Sequence, residues 1–280
     1  MNKKIGFIGC GKMGEAMLEG MLHAEVISPE GIMVSTSSAE TKTKITTKYN
    51  VRGTLDNKEV AGFADFLFLG IQPAMHKQVL EEVKNHVKED AVIITMAAGI
   101  TVSLVENSFE KRVKVVRTMP NTPSLVGEGM TAMCINDEIT DADIEDVTAL
   151  LNSFGKTEIL HEDLMDAVPA ISGSSPAYVY MFIEALADGG VRDGIPRKQA
   201  YRMAAQAVMG AAKMVLETER HPAALKDDVC TPGGSTISAV AALEENQLRS
   251  SILQAMKACT DKTKGFSNIF RMFGEKRGLQ

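Results

Sequence analysis

The sequence predicts an α/β fold in which a doubly wound parallel sheet is followed by an all-helical domain. Three observations lead there. Strand-like apolar runs alternate with helical patterns up to about residue 160, a glycine-rich turn joins the first run to the first helix, and strand-like runs cease after about residue 162. Alternation of this kind marks a sheet with helices on both faces. The change of character divides the chain into a first domain at 1–161 and a second at 162–280.

The first run, with Ile5, Phe7 and Ile8, leads into Gly9-x-Gly11-x-x-Gly14 and then directly into a helical pattern. In that context the glycines have distinct tasks. Gly9 permits a tight turn, Gly11 lets backbone approach a pyrophosphate, and Gly14 lets the helix pack on the strand. The helix start adds free N–H groups and the positive end of its dipole. This is the arrangement of a dinucleotide-binding Rossmann domain.

Buried parallel strands are expected next at Ile32–Thr36, Phe66–Ile71, Ala91–Met96, Val113–Thr118, Met130–Ile135 and Thr157–Leu160. Helical spacing fits His76–Lys88, with Val79, Leu80, Val83 and Val87 on one face, and Asp141–Phe154, with Thr140 placed to cap it. Beyond 162 the helical stretches are Pro176–Asp193, Arg197–Glu219, Ser235–Glu245 and Leu248–Phe270. Residues 203–216 are apolar around nearly the whole helix, which predicts burial on most sides and hence cover from a second subunit. The last ten residues, rich in Arg, Lys and Gly, are expected to fray.

Composition narrows the function. A net charge of −6 and a lack of tryptophan leave neither a basic stripe for nucleic acid nor a base-stacking platform. No apolar run reaches membrane-spanning length, and the opening run is too short for a signal-peptide core. Cys10, Cys134, Cys230 and Cys259 are far apart, which fits a reducing compartment and predicts a cytoplasmic protein. His23, His76, His86, His161 and His221 show no ligand spacing; they read as surface residues, and no metal is expected.

Chemistry concentrates at the ends of strands, where open sheets bind ligands. The second strand ends in Ser35-Thr36-Ser37-Ser38, with no carboxylate before Glu40. NAD-binding domains usually place an acid there, so small hydroxyls, with Lys42 and Lys44 just beyond, favour NADP. Gly70-Ile71-Gln72-Pro73 and Ala97-Ala98-Gly99 follow the next strands and let backbone approach a ribose or nicotinamide. Arg117–Pro123, which includes Asn121, forms a proline-stiffened loop suited to an active-site wall. In the helical part, Thr231-Pro232-Gly233-Gly234-Ser235-Thr236 is a turn running into a helix, with consecutive N–H groups that suit a carboxylate.

Taken together, Gly9–Gly14, Met119–Pro123, Ser172–Tyr178, Ala187–Gly190 and Thr231–Thr236 resemble the pyrroline-5-carboxylate reductase family, in order and from residue 3 to about 265. The resemblance implies NAD(P)H-dependent reduction of 1-pyrroline-5-carboxylate to L-proline and a helical domain that interleaves in a homodimer, with dimers assembling further. It implies that Ile8, Gly9, Cys10, Gly11, Lys12, Met13, Thr36, Asn57, Gly70, Ile71, Gln72, Pro73, Ala97, Ala98 and Gly99 surround the dinucleotide, for which the hydroxyls at the end of the second strand favour NADPH over NADH. Ser235 and Thr236 would hold the substrate with Gly234 and Asn121, and Glu162, Glu219 and Asp228 would lie nearby. Thr236 is the residue expected at the reacting nitrogen. Thr231 stands where serine is common, and Asp228 where other members carry Asn or Met. Two other readings remain open on sequence: a β-hydroxy-acid dehydrogenase of the same plan and a non-enzymatic NADP sensor. The first uses a lysine after its glycine-serine segment that 177–184 lacks, and the second has no use for an anion-binding turn.

Overall fold

A computed structural model describes residues 3–275, with side-chain burial described through residue 265. The chain divides into two compact units: residues up to Gly173 together with those from Cys259 onward, and Ser174–Ala258. The first unit is built on one eight-stranded sheet of order β3-β2-β1-β4-β5-β6-β7-β8. Its strands are β1 (Ile5–Ile8), β2 (Ile32–Ser35), β3 (Arg52–Thr54), β4 (Phe66–Leu69), β5 (Val92–Thr95), β6 (Lys114–Met119), β7 (Gly129–Ile135) and β8 (Gly155–Ile159). The helices between them are α1 (Lys12–His23), α2 (Ala39–Tyr49), α3 (Asn57–Phe63), α4 (His76–Val83), α5 (Val102–Glu106) and α6 (Asp141–Asn152).

The central strands are buried on both faces, as continuous runs such as Phe66-Leu-Phe-Leu69 and Val92-Ile-Ile-Thr95 require. Two apolar layers result. One holds Leu67, Leu80, Ile93 and Val115. The other holds Phe7, Met17, Phe68, Ile94 and Phe154, with the Phe7 and Phe68 rings stacked at 4.9 Å.

Two sequence expectations need correction. The strands are not all parallel, because β7 pairs antiparallel with β6, and β8 then lies parallel to β7. The cause is the short connection at 120–128, which holds little beyond a 3-10 turn at Thr122–Val126 and cannot make a crossover. Nor is β8 buried; it is an edge strand with two exposed residues at its end. The edge strand β3, flanked by α3, carries no apolar run and escapes periodicity.

The packing division falls after Gly173, later than the compositional change at 161–162. Met165 and Val168 join the first unit's core, and Glu162 and Asp166 pair with Arg117. The second unit contains α7 (Ser175–Arg192), α8 (Arg197–Thr218), α9 (Pro222–Val229), α10 (Ser235–Glu245) and the first part of α11 (Leu248–Glu275). Here α7 and α8 pack on each other, burying Ala187, Ala200 and Ala204. Within the single chain, however, Met203, Met209 and Met214 are 60%, 57% and 49% exposed, so the cover expected for 203–216 does not come from the described residues of this chain. The part of the tail beyond Glu275 that is expected to fray lies outside the described residues. Among the described residues no helix is long and apolar enough to cross a membrane.

Candidate active site

One row across the sheet aligns Thr54, Ser35, Ile8, Leu69 and Thr95 at the carboxyl ends of β3, β2, β1, β4 and β5 with Arg117, two residues before the end of β6. Met13 and its neighbours, Thr36, Gly70–Pro73, Ala97–Gly99 and Asn121 leave the sheet at or just beyond this row, so strand register gathers them, whereas Glu162 follows the reversed strand β8 and reaches the row only through its bonds to Arg117 and Val102. Connections depart in opposite directions from β1 and β4, so the crevice of a doubly wound sheet lies between these neighbours.

Backbone fit fixes the turn at that crevice. Gly9 adopts φ +79°, and a Cβ there would meet the Gly70 carbonyl oxygen at 2.7 Å. A Cβ on Gly70 would collide with the Gly9 carbonyl oxygen in return. The two turns are wedged back to back and stitched to the sheet by Gly9 N–H to Ser35 O (3.0 Å) and Gly70 N–H to Ile8 O (2.8 Å).

Gly11 then forms the N-cap of α1, and among the described residues no side chain caps that helix. No described atom comes within 4 Å of a Cβ built on Gly11. An uncapped twelve-residue helix, opening onto space kept clear by glycine at the crevice of the sheet, fits the pyrophosphate of a dinucleotide. Gly11 and Lys12 are exposed and Met13 is half-buried. Cys10 faces inward, and its thiol is pushed up to about 12, first by burial and then by the charge of Glu15.

At the end of β2 most hydroxyls already have partners. Ser35 donates to Asn57 Oδ1 at 2.7 Å, Thr36 donates to Ser38 O at 2.9 Å, and Ser38 caps α2 through the Thr41 N–H. Asn57 in turn donates to Glu82 at 3.1 Å. Ser37 stands exposed, and Lys44 is ion-paired with Glu15 at 3.1 Å.

Sequence reasoning placed His76 at the surface. It is instead fully buried. Its Nδ1 lies 3.1 Å from the Gln72 carbonyl and its Nε2 3.1 Å from the Thr95 hydroxyl. A carbonyl only accepts, so Nδ1 carries the proton and the Thr95 hydroxyl donates to Nε2. Burial holds the imidazole pKa below its usual value. A sequence signal existed: positions 76, 79, 80 and 83 share one helix face, and all four are buried.

On the far side of the row, Arg117 is buried and bonds Glu162 at 3.1 Å and Asp166 at 2.9 Å. The Glu162 carboxylate also accepts the Val102 N–H at 2.8 Å, which ties the segment after Ala97–Gly99 to this cluster. Asn121 is buried, donating to Ser172 O and accepting from Met130 N–H, both at 2.9 Å. These side chains brace the loop walls.

In the second unit, Thr231–Gly234 closes a turn through Gly234 N–H to Thr231 O at 3.0 Å. Gly233 sits at φ +67°, as a type II turn after proline requires, and a Cβ on Gly234 would strike the Thr231 hydroxyl. Gly234 is the N-cap of α10, which no described side chain caps. The first-turn N–H groups, with exposed Ser235 and half-buried Thr236, are thus presented to a ligand. Glu219 ends α8 in the left-handed region, and Asp228 is ion-paired with Arg220 at 2.7 Å.

The comparisons with known proteins agree with this architecture. Residues 162–266 match the family model described as pyrroline-5-carboxylate reductase dimerisation, and residues 4–99 match the one described as NADP oxidoreductase coenzyme F420-dependent. The chain is 44% identical over 267 residues to the pyrroline-5-carboxylate reductase of Escherichia coli (strain K12), covering 95% of this chain and 99% of that protein. A solved pyrroline-5-carboxylate reductase from Coxiella burnetii superposes with a TM-score of 0.89 at 32% identity, over 95% of this chain and 99% of that one. The Plasmodium falciparum pyrroline carboxylate reductase, solved with NADP bound, gives a TM-score of 0.85 at 32% identity, covering 95% and 98% of the two chains. With a dinucleotide turn at its sheet crevice, a match to a dimerisation model later in the sequence and 44% identity along nearly its whole length, this chain belongs to the pyrroline-5-carboxylate reductase family.

Proposed function

We propose that this protein reduces 1-pyrroline-5-carboxylate to L-proline, with NADPH as the preferred donor. The observation that carries the reading is family membership over 95% of the chain. The uncapped start of α10 behind its glycine turn supports it from the residues upward. When bound, the reduced nicotinamide supplies the two electrons and the hydrogen that saturate the C=N bond. A protonated cyclic imine is already electron-poor, so the protein's tasks are to hold the ring acid and fix its orientation. The Ser235 and Thr236 N–H groups bind the carboxylate, and the Thr236 hydroxyl bonds the ring nitrogen. Gly234 keeps the approach open.

The turn at Gly9–Met13 holds the pyrophosphate, flanked by Thr36, Asn57, Gly70–Pro73 and Ala97–Gly99. The absence of an acid at the end of β2 supports the choice of NADPH, leaving Ser37 and Lys42 near the ribose. Glu162, Glu219 and Asp228 lie near the substrate, Glu162 bonded to Val102 and Arg117 and Asp228 to Arg220. The working assembly is a homodimer or a larger ring of dimers, formed through the domain beginning at residue 162. Its setting is the cytoplasm, which four cysteines without a disulfide among the described residues support.

Loss of NADPH absorbance at 340 nm on adding 1-pyrroline-5-carboxylate tests the reading, with NADH in a parallel series. Thr236→Ala is expected to lower kcat/KM more than about tenfold, the scale of one lost transition-state hydrogen bond, with an unchanged melting temperature. Unchanged turnover would remove Thr236 from the reaction, and a higher kcat/KM with NADH would overturn the donor assignment.

A further inference from the structure

We infer that His76 is a positioning residue for the coenzyme, fixing the Gln72–Pro73 loop to the end of β5 through its two ring nitrogens. The inference rests on the reading that Gly70–Pro73 borders the dinucleotide. Gly70 is wedged against Gly9, and the three residues after Gln72 form the 3-10 turn Pro73–Met75. The Gln72 carbonyl takes the Met75 N–H at 2.9 Å as well as the His76 ring N–H. Gln72 itself is exposed, and its side chain caps nothing among the described residues. What tethers the loop to the neighbouring strand is therefore the imidazole beneath it.

Thr95, the other end of the tether, is fully buried and held in place by Thr118, whose hydroxyl donates to the Thr95 carbonyl at 2.9 Å. Thr95 ends β5 and Thr118 lies near the end of β6, while His76 opens α4 after the loop that follows β4. An apolar side chain would fill the same helix face beside Val79, Leu80 and Val83 without two ring nitrogens to desolvate. The ring nitrogens meet Gln72 and Thr95. They hold the loop after β4 at a set height above the crevice, with the imidazole neutral and protonated on Nδ1.

Three variants test this: His76→Leu, which removes both bonds; His76→Gln, whose amide can donate to Gln72 and accept from Thr95; and Thr95→Val, which removes the hydroxyl at nearly constant volume. NADPH dissociation constants from fluorescence need no substrate turnover, and melting temperatures track folding separately. We expect His76→Leu and Thr95→Val to weaken NADPH binding about three- to tenfold, the scale of one or two lost hydrogen bonds, and to raise the NADPH KM in step while kcat changes less. His76→Gln should recover most of the loss. If Thr95→Val, or His76→Leu where it folds, binds NADPH as the unaltered protein does, His76 is a core residue only and the inference fails. An unaltered protein that binds NADPH without reducing the imine would overturn the proposed reaction while leaving the His76 result standing on the dissociation constants.

Discussion

Cys10 lies between the two glycines of the dinucleotide turn, yet burial and Glu15 push its thiol up to about 12, and burial with Glu162 does the same for Cys134. At pH 8 such a thiol is ionised in only about one molecule in 10⁴. Iodoacetamide at that pH should therefore leave Cys10 and Cys134 unmodified until denaturant is added, as peptide mass mapping would report; rapid labelling of Cys10 in the folded protein would contradict its buried placement. At this scale, legibility followed the range of the physics. Gly9, Gly11 and Pro232-Gly233-Gly234 were readable because a turn's demands are local. The Ser35–Asn57 pair, the acids around Arg117 and the bond from His76 to Thr95 were not, because these partners lie 19 to 49 residues apart in sequence, although the helix face of His76 did signal its burial.

The helix α6 shows what a local signal delivers. Thr140 accepts the Asp143 N–H, Asp143 reaches back to the Thr140 N–H at 3.0 Å, and Lys114 joins the carboxylate at 2.8 Å. Thr140→Ala should cost about 1 kcal/mol in denaturant unfolding. Burial opposes the Asp143 charge, but Lys114 and Thr140 outweigh it and hold its pKa below the usual carboxylate value. The unfolded chain therefore binds this proton more readily. The stabilisation is complete above about pH 4 and disappears as pH falls through the lower folded value. The stability gap between the native protein and Asp143→Asn should narrow as pH falls below about 4; a gap independent of pH would remove Asp143 from the acid response. Caps and apolar periodicity made α6 readable in advance. The direction of β7 was not, since it depends on the length of a connection, and α9 buries none of its eight residues and so carries no apolar face to read.

Across the whole molecule, the second unit presents apolar side chains that the described residues of the chain do not cover. Met203, Met209 and Met214 on α8 are joined by Tyr180, Met181 and Phe182 on α7 and Leu253 on α11, all exposed in the single chain. Surfaces of this kind mark an interface, and this one lies within the residues matching a dimerisation model. Met209→Glu should shift the protein towards monomer in light scattering at micromolar concentration and lower its melting temperature. An unchanged mass would place the interface elsewhere. The need for a partner was readable from residues 203–216; which faces remain open required the packing of α7 on α8.

The wedged backbones of Gly9 and Gly70 carry a consequence for redesign. On the proposed reading, gripping the coenzyme and choosing between its two forms would belong to different strands, the first locked at β1 and β4 and the second resting on small side chains at the tip of β2. An engineer seeking a changed preference can work at Ser37 and its neighbours alone. Even one methyl group added on the locked side would force both turns apart.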